Sequence, residues 1–321
     1  VSSSGILLVD KPQGWTSHDA VARTRRLAGT RKVGHAGTLD PMATGLLVLG
    51  IESSTRLLTY VVGLDKEYFA TIRLGAASTT DDAEGELIGD VPAPGTTDID
   101  PARITAGIAA LTGDIEQVPS SVSAIKVDGK RAYALVRSGE EVVLKSRAVT
   151  VSAFELLGST VVDGYLDLAV RVECSSGTYI RALARDLGAE LGVGGHLTAL
   201  RRTRIGPFLV TDAGELDSLD VASSLIPPAD AASALFPRLE LDAQQAIDLG
   251  HGKRIELSAA QREAADPQAL RSAIAPGGRL VGLLEVRGKS GKSVVNFPTD
   301  APAPATSQDA PASATAQEPE A

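Results

Sequence analysis

Cysteine, methionine and tryptophan occur once each in these 321 residues, aromatic side chains make up 3%, and there are four histidines. A single thiol, Cys174, forms no internal disulfide and supplies no multi-thiolate zinc site, which fits a reducing compartment. His18, His35, His196 and His251 lack an i, i+4 pair and the Cys/His spacing of a zinc centre, so metal-assisted hydrolysis has no support. No G-x-S-x-G string is present, which argues against a serine hydrolase elbow. Excess positive charge is also missing: 31 Lys+Arg stand against 40 Asp+Glu, a net charge of -9. That excludes a uniformly basic nucleic-acid binder but permits a local basic face. No apolar run approaches the ~20 residues that cross a bilayer, and the short apolar stretch ahead of Asp10 and Lys11 is below signal-peptide length. These absences predict a cytoplasmic protein with no membrane anchor.

What is present is a chain with 43% hydrophobic residues, long enough for two modules at roughly 150 residues each. Ile6 to Val9 reads as a buried strand, Ser17 as the cap of a helix to about Leu27, and Gly34, Gly37 and Pro41 as loop residues. Gly45 to Ile51 reads as a strand, with Ser53 or Ser54 capping a following helix. Tyr68, Ala70, Ile72 and Leu74 alternate with Phe69, Thr71 and Arg73, the two-residue period of a half-buried strand. Asp100-Pro101 opens a helix, residues 147–157 and 165–174 read as strands, and Thr178 caps a helix with one apolar stripe. Pro227 and Pro228 suggest a linker to a small β module. The expected division is a domain over 1–230, a module over 238–298 and a tail over 299–321.

That tail holds eight Ala, four Pro and four acidic residues, with no basic or aromatic side chain, and its composition predicts disorder. Removing it changes the net charge from -9 to -5 by loss of four acidic residues. Deleting 299–321 should leave stability and activity nearly unchanged; a tenfold loss of activity in the shortened chain would contradict this reading. Charge also varies along the chain, because residues 1–60 carry seven Lys/Arg against four Asp/Glu, and residues 177–206 five against two. The GKSGKS run at 288–293 imitates a phosphate loop, but Leu283 and Val286 stand where its first glycine is needed, so a hairpin turn fits better.

Five strings stand out in order: VDKPQGWTSHDAV at 9–21, GHAGTLDPMATGLLVLG at 34–50, KEYFATIRLG at 66–75, SGTYIRALARDLG at 176–188 and HLTALRRTRIGPF at 196–208. Read alone, Asp40 before Pro41 simply starts a turn. Together the strings resemble the TruB-type tRNA pseudouridine synthases over about residues 5–208, and the C-terminal region is similar to the PUA-like RNA-binding module of such enzymes. The resemblance implies an α+β catalytic domain with a mixed, largely antiparallel sheet, followed by a PUA-like β-barrel. It also implies isomerisation of uridine-55 in the T loop of tRNA, with no metal, nucleotide or redox cofactor, no membrane and no obligatory protein partner. The N1–C1′ bond is cleaved, the uracil turns in the site, and C5 joins C1′. A glycosidase needs two carboxylates so that one can activate water; here one suffices, because the detached base is the second nucleophile.

By the same resemblance Asp40 is the catalytic carboxylate, as nucleophile or base, and Arg181 its cationic partner. Tyr68 stacks on the target base and can handle its C5 proton, while Tyr179 and Leu200 line the uridine pocket. His35 fills the gap left when the base flips out, and Lys11, Arg201 and Arg202 contact phosphates. Each has a plainer alternative: a surface charge for Arg181, Lys11, Arg201 and Arg202, core packing for Tyr68, Tyr179 and Leu200, a loop histidine for His35. One departure occurs in VPSSVSAIK at 118–126, where Val122 replaces the aromatic residue the resemblance leads one to expect. Two further readings share these motifs: a guide-RNA-dependent synthase of the dyskerin type, and an RNA-binding protein that chiefly helps tRNA to fold.

Overall fold

The computed structural model describes residues 3–89, 91–120, 126–127, 130–131, 144–263 and 270–297. Val122 and the 299–321 segment lie outside the described residues. The first part of the chain forms β1 (Gly5–Lys11), α1 (Ser17–Ala28), β2 (Val33–His35), β3 (Thr44–Ile51), α2 (Leu58–Val62), β4 (Lys66–Leu74), α3 (Pro101–Ala110), β5 (Gly113–Gln117), β6 (Arg147–Val162), β7 (Tyr165–Cys174), α4 (Ile180–Leu191), β8 (Gly195–Ile205), β9 (Phe208–Leu209) and β10 (Gly214–Glu215). One ten-stranded sheet runs β10-β1-β3-β8-β4-β7-β6-β5, with β2 beside β3 and β9 beside β8. Among the described strands of this sheet only β1/β10 and β3/β8 pair in parallel, so it is mixed and largely antiparallel, as the family resemblance implied.

Burial explains this arrangement. On β4 the side chains of Tyr68, Ala70, Ile72 and Leu74 are buried while Phe69 is exposed, and the buried set meets Ile180, Leu183, Ala184, Leu187 and Leu191 of α4. Each such Leu or Ile contributes roughly 2 kcal/mol by leaving water. The helix comes unusually close to the start of β8: a Cβ on Gly188 would stand 2.2 Å from the Gly195 nitrogen, so only glycine fits. β1 and β3 are covered on both faces. Leu7, Val9, Leu47 and Leu49 pack with Ala20 and Val21 of α1. Ile6, Leu8, Leu46 and Val48 pack toward α5 (Pro228–Leu235) and toward Ile274, Leu280, Leu283 and Phe297 of a second sheet.

The second sheet comprises β11 (Arg238–Glu240), β12 (Ile255–Glu256), β13 (Arg271–Ile274), β14 (Leu280–Arg287) and β15 (Ser290–Asn296), ordered β11-β13-β14-β15-β12. It curls as a PUA-like half-barrel around a core that includes Leu241, Leu249, Val281 and Leu284. GKSGKS forms the β14–β15 hairpin, with Gly288 at φ 60°.

Several local expectations need correction. Thr16, not Ser17, caps α1, forming a reciprocal capping box with Asp19. Gly34 lies on β2 rather than in a loop. Residues Glu52–Leu57 form a 3-10 turn leading into α2, with no side-chain cap from Ser53 or Ser54. Thr178 does not cap α4, because its hydroxyl donates to the Ser175 carbonyl and Tyr179 occupies the cap position. Pro228 opens α5, and Ile226 pairs with Ile6 through both backbone hydrogen bonds, so this stretch is packed against β1 instead of forming a free linker. Among the described residues no helix is long and apolar enough to cross a membrane.

Candidate active site

The Gly37–Ala43 loop between β2 and β3 is fixed from three directions. Ser17, at the start of α1, donates its hydroxyl to the Leu39 carbonyl at 3.1 Å and accepts the Leu39 N–H at 2.8 Å. Lys11, at the end of β1, donates Nζ to the carbonyls of Pro12, Trp15 and Pro41 at 2.9, 2.7 and 3.4 Å. Arg202 of β8 donates to Leu46, Gly37 and Thr38 carbonyls at 2.8, 3.1 and 3.5 Å. The close β3/β8 crossing needs Gly45, where φ is +100° and a Cβ would stand 2.2 Å from the Arg202 carbonyl oxygen.

Asp40 projects from this loop toward the first turn of α4. Its Oδ2 lies 3.0 Å from Nη2 of Arg181, whose side chain is 4% exposed against 35% for Asp40. Nη1 of Arg181 meets the Thr80 carbonyl at 2.8 Å and the nearly buried Asp82 carboxylate at 3.4 Å. The fork thus spans two carboxylates and a carbonyl, a geometry no ammonium can reproduce. Asp40 keeps one side open to a cavity of about 240 Å³ that also takes in Tyr68, Tyr179, Leu200, Lys66 and Arg202. That volume lies below the ~300–1,000 Å³ of drug-sized pockets and suits one planar ring.

Tyr68 is buried on β4, and burial raises its phenol above the ordinary value, so it stays protonated at neutral pH. Tyr179 is held by Gln117, which accepts its N–H at 2.8 Å and donates to its carbonyl at 3.1 Å, while the Arg147 guanidinium stacks over its ring 4.7 Å from the centroid. Among the described residues no group of three or more His, Cys, Asp or Glu is placed to hold a metal ion.

The three expected phosphate contacts sit differently from the expectation. Lys11 is 0% exposed and Arg202 1% exposed, both committed to loop carbonyls. Burial lowers Lys11 to about 8. A surface contact was predicted because neither string reveals that the β1 end and the β8 middle run under the Asp40 loop. Arg201 is partly exposed but closes a two-pronged pair on Asp10, at 2.6 and 3.0 Å, which offsets its charge. His35 does not line the cavity; it lies on β2 with its ring edge-to-face on His18 at 5.7 Å, and burial followed by the neighbouring His18 lowers its pKa.

Residues 25–180 match the model of the TruB family pseudouridylate synthase N-terminal domain, residues 181–239 the tRNA pseudouridylate synthase B C-terminal domain and residues 236–298 the tRNA pseudouridine synthase II C-terminal model. A protein named tRNA pseudouridine synthase B from Leifsonia xyli subsp. xyli (strain CTCB07) is 65% identical over 92% of this chain and 97% of its own length. The chain belongs to the TruB family of pseudouridylate synthases. A second relative of that name, from Thermobifida fusca (strain YX), is 54% identical over 92% of this chain and 99% of its own. Among solved structures, an H/ACA RNP bound to a substrate RNA containing 2′-deoxyuridine superposes with a TM-score of 0.66 at 23% identity, covering 92% of this chain and 86% of that one, a likeness of fold.

Four residues that build this candidate site carry no such role in the sequence pattern. Asp82 sits in an acidic loop, TTDDAEGE, that reads as solvated. Ser17 and Gln117 act through backbone groups of residues distant in sequence. Lys66 did leave a signal, since it shares the buried face of β4 with Tyr68, and a lysine on an apolar face asks for an explanation. The structural role of Arg202 predicts that Arg202→Met loses about 3 kcal/mol of stability, because buried carbonyls lose a charged donor. Urea unfolding of the purified variant would show the midpoint shift.

Proposed function

We propose that this chain converts uridine-55 in the T loop of tRNA to pseudouridine, with Asp40 as the catalytic carboxylate. One observation carries the reading: Asp40 is paired at 3.0 Å with a buried Arg181 in a cavity that also presents Tyr68. The names of the relatives, tRNA pseudouridine synthase B, support tRNA as the substrate class.

The chemistry follows from the site's charges. Arg181 sets a guanidinium 3.0 Å from the Asp40 carboxylate and orients it, and a carboxylate is the group this chemistry needs to attack carbon or to take a proton. Tyr68 offers a ring face for the flipped base, Tyr179 and Leu200 close the pocket, and the phenol oxygen can take up the C5 proton as it passes its own proton to solvent. His35, outside the cavity on the neighbouring strand, is available to the space vacated in the RNA loop. No water needs activation, because uracil itself re-attacks through C5. No metal, nucleotide or redox group enters this scheme. The division proposed for these tasks is a catalytic domain over 1–230 and a PUA-like RNA-binding domain over 238–298, acting in the cytoplasm.

The test is pseudouridine mapping on an unguided tRNA transcript incubated with the pure chain. Modification confined to position 55 is expected; an unmodified transcript would overturn the reading, and modification only with a guide RNA would favour the dyskerin type. Binding should also weaken with salt, with a slope of roughly -0.7 to -0.9 in log K against log salt for each phosphate contact. Since Lys11 and Arg202 are buried, the exposed Arg25, Arg26, Arg31 and Lys32 are assigned to that face. Arg26→Ala with Arg31→Ala should reduce the slope by about 1.5; an unchanged slope would remove them from the RNA face.

A further inference from the structure

The cavity has more positive charge than its recognised chemistry uses. Among the described residues its walls present one carboxylate, Asp40, and three cations, Lys66, Arg181 and Arg202. Arg181 is matched by Asp40 and Asp82. The other two are held by neutral groups. Lys66 Nζ donates to the Val62 and Leu64 carbonyls at 2.9 and 2.5 Å, and Arg202 donates to carbonyls of Leu46, Gly37 and Thr38. Lys66 is 6% exposed, lies two residues from Tyr68 on the same face of β4, and so stands one pleat, roughly 7 Å, along from the tyrosine. Carbonyl oxygens orient an ammonium without cancelling its charge, and a buried cation of this kind favours whatever anion enters beside it.

Uridine is neutral on entry. When the N1–C1′ bond breaks, its electron pair stays with the base and spreads from N1 onto O2 and O4. When C5 then bonds to C1′, the C5 proton passes to the Tyr68 oxygen as that phenol gives its own to solvent, and N1 takes one proton from solvent, so nothing is added or lost overall. We propose that Lys66 stabilises the negative charge on the detached uracil, with Arg202 as the second positive wall. The proposal rests on the isomerase reading above and adds a residue to it. A flanking phosphate would meet the same cations, but it is charged before and throughout the reaction, so the two occupants separate kinetically.

The groups facing Lys66 are Arg202 from β8, Cys174 from β7 and Asp65 ahead of β4; burial, the largest effect, and then Arg202 lower Lys66 to about 8. Cys174 is pushed up to about 11 and the Tyr68 phenol is raised, so neither titrates between pH 7 and 9, whereas Lys11, also near 8, does. If protonated Lys66 is required, the wild-type rate falls as pH rises through 8.

The experiment measures single-turnover pseudouridine formation and tRNA affinity for wild type, Lys66→Gln and Lys66→Arg from pH 7 to 9. Lys66→Gln should lose at least 30-fold in rate at pH 7 with affinity within threefold. Lys66→Arg should fold and remain charged, so its rate should be flat where that of wild type falls. Loss of affinity at unchanged rate would overturn the proposal in favour of a phosphate contact. A Lys66→Arg profile that keeps the wild-type decline would overturn it too, assigning the decline to Lys11. If Lys66→Gln does not fold, the Lys66→Arg profile decides alone. Wild type without any pseudouridine formation would instead fail the isomerase reading itself.

Discussion

Asp40→Asn is expected to bring pseudouridine formation below detection while tRNA affinity stays within about twofold of wild type. The substitution preserves the size of the side chain and one oxygen that can face Arg181 at the present 3.0 Å. It removes the property on which the proposed chemistry depends, since an amide is neither a carbon nucleophile nor a base at neutral pH. The loop should persist, because Ser17, Lys11 and Arg202 hold it through backbone atoms of Leu39, Pro41 and Gly37, none of which changes. Arg181 keeps Asp82 and the Thr80 carbonyl as partners, so it is not stranded as an uncompensated buried charge. Under the proposed function, binding rests on the flipped base meeting Tyr68 and on phosphate attraction, and loss of a negative charge can only help the latter. Single-turnover modification and filter binding on one transcript decide the matter; turnover near wild type would sink the assigned role of Asp40. Should the inactive variant restore tRNA folding as wild type does, the folding-helper role would stand beside the enzymatic one, carried by the same surface without the carboxylate.

How much of this was legible beforehand depended on whether a signal is local. The β4 alternation and the apolar stripe of α4 are written in consecutive residues, and both elements formed with the expected faces inward. Caps were less legible: Thr16 and Ser17 are adjacent and chemically alike, and the choice was made by Leu39, 22 residues away, which engages the Ser17 hydroxyl. Asp40, Tyr68, Arg181, Tyr179 and Leu200 meet in one cavity although they span 160 positions, a convergence that came from the resemblance and not from spacing. The charged residues were read least well. A lysine in a Pro/Gly-rich string looks like a solvated phosphate contact until the fold places a carbonyl cage around it, and Lys11 and Arg202 are caged in that way. Pro227-Pro228 failed for a related reason: proline at a helix start and proline in a linker look the same until Ile226 is seen pairing with Ile6.

Arg181→Lys should lower the single-turnover rate by about 10²- to 10³-fold, on the scale of removing one preorganised charged donor from a reacting site, with tRNA affinity nearly unchanged. The size of the effect follows from geometry. Nη2 serves Asp40 at 3.0 Å, while Nη1 serves the Thr80 carbonyl at 2.8 Å and Asp82 at 3.4 Å. A lysine ammonium is a single centre on a flexible stem, so it satisfies one end of this bridge and abandons the other. If it turns to Asp82, which is almost fully buried, Asp40 is left without its orienting partner and swings freely in the cavity. If it turns to Asp40, Asp82 becomes a buried carboxylate with no cation at hand and the 79–86 loop loosens, which a lowered melting temperature would report. Either outcome keeps formal charge constant, so any rate loss measures orientation and not net electrostatics. A variant that modifies tRNA at the wild-type rate would show that Asp40 needs only a nearby positive charge, and the two-pronged bridge would then be a feature of stability rather than of catalysis.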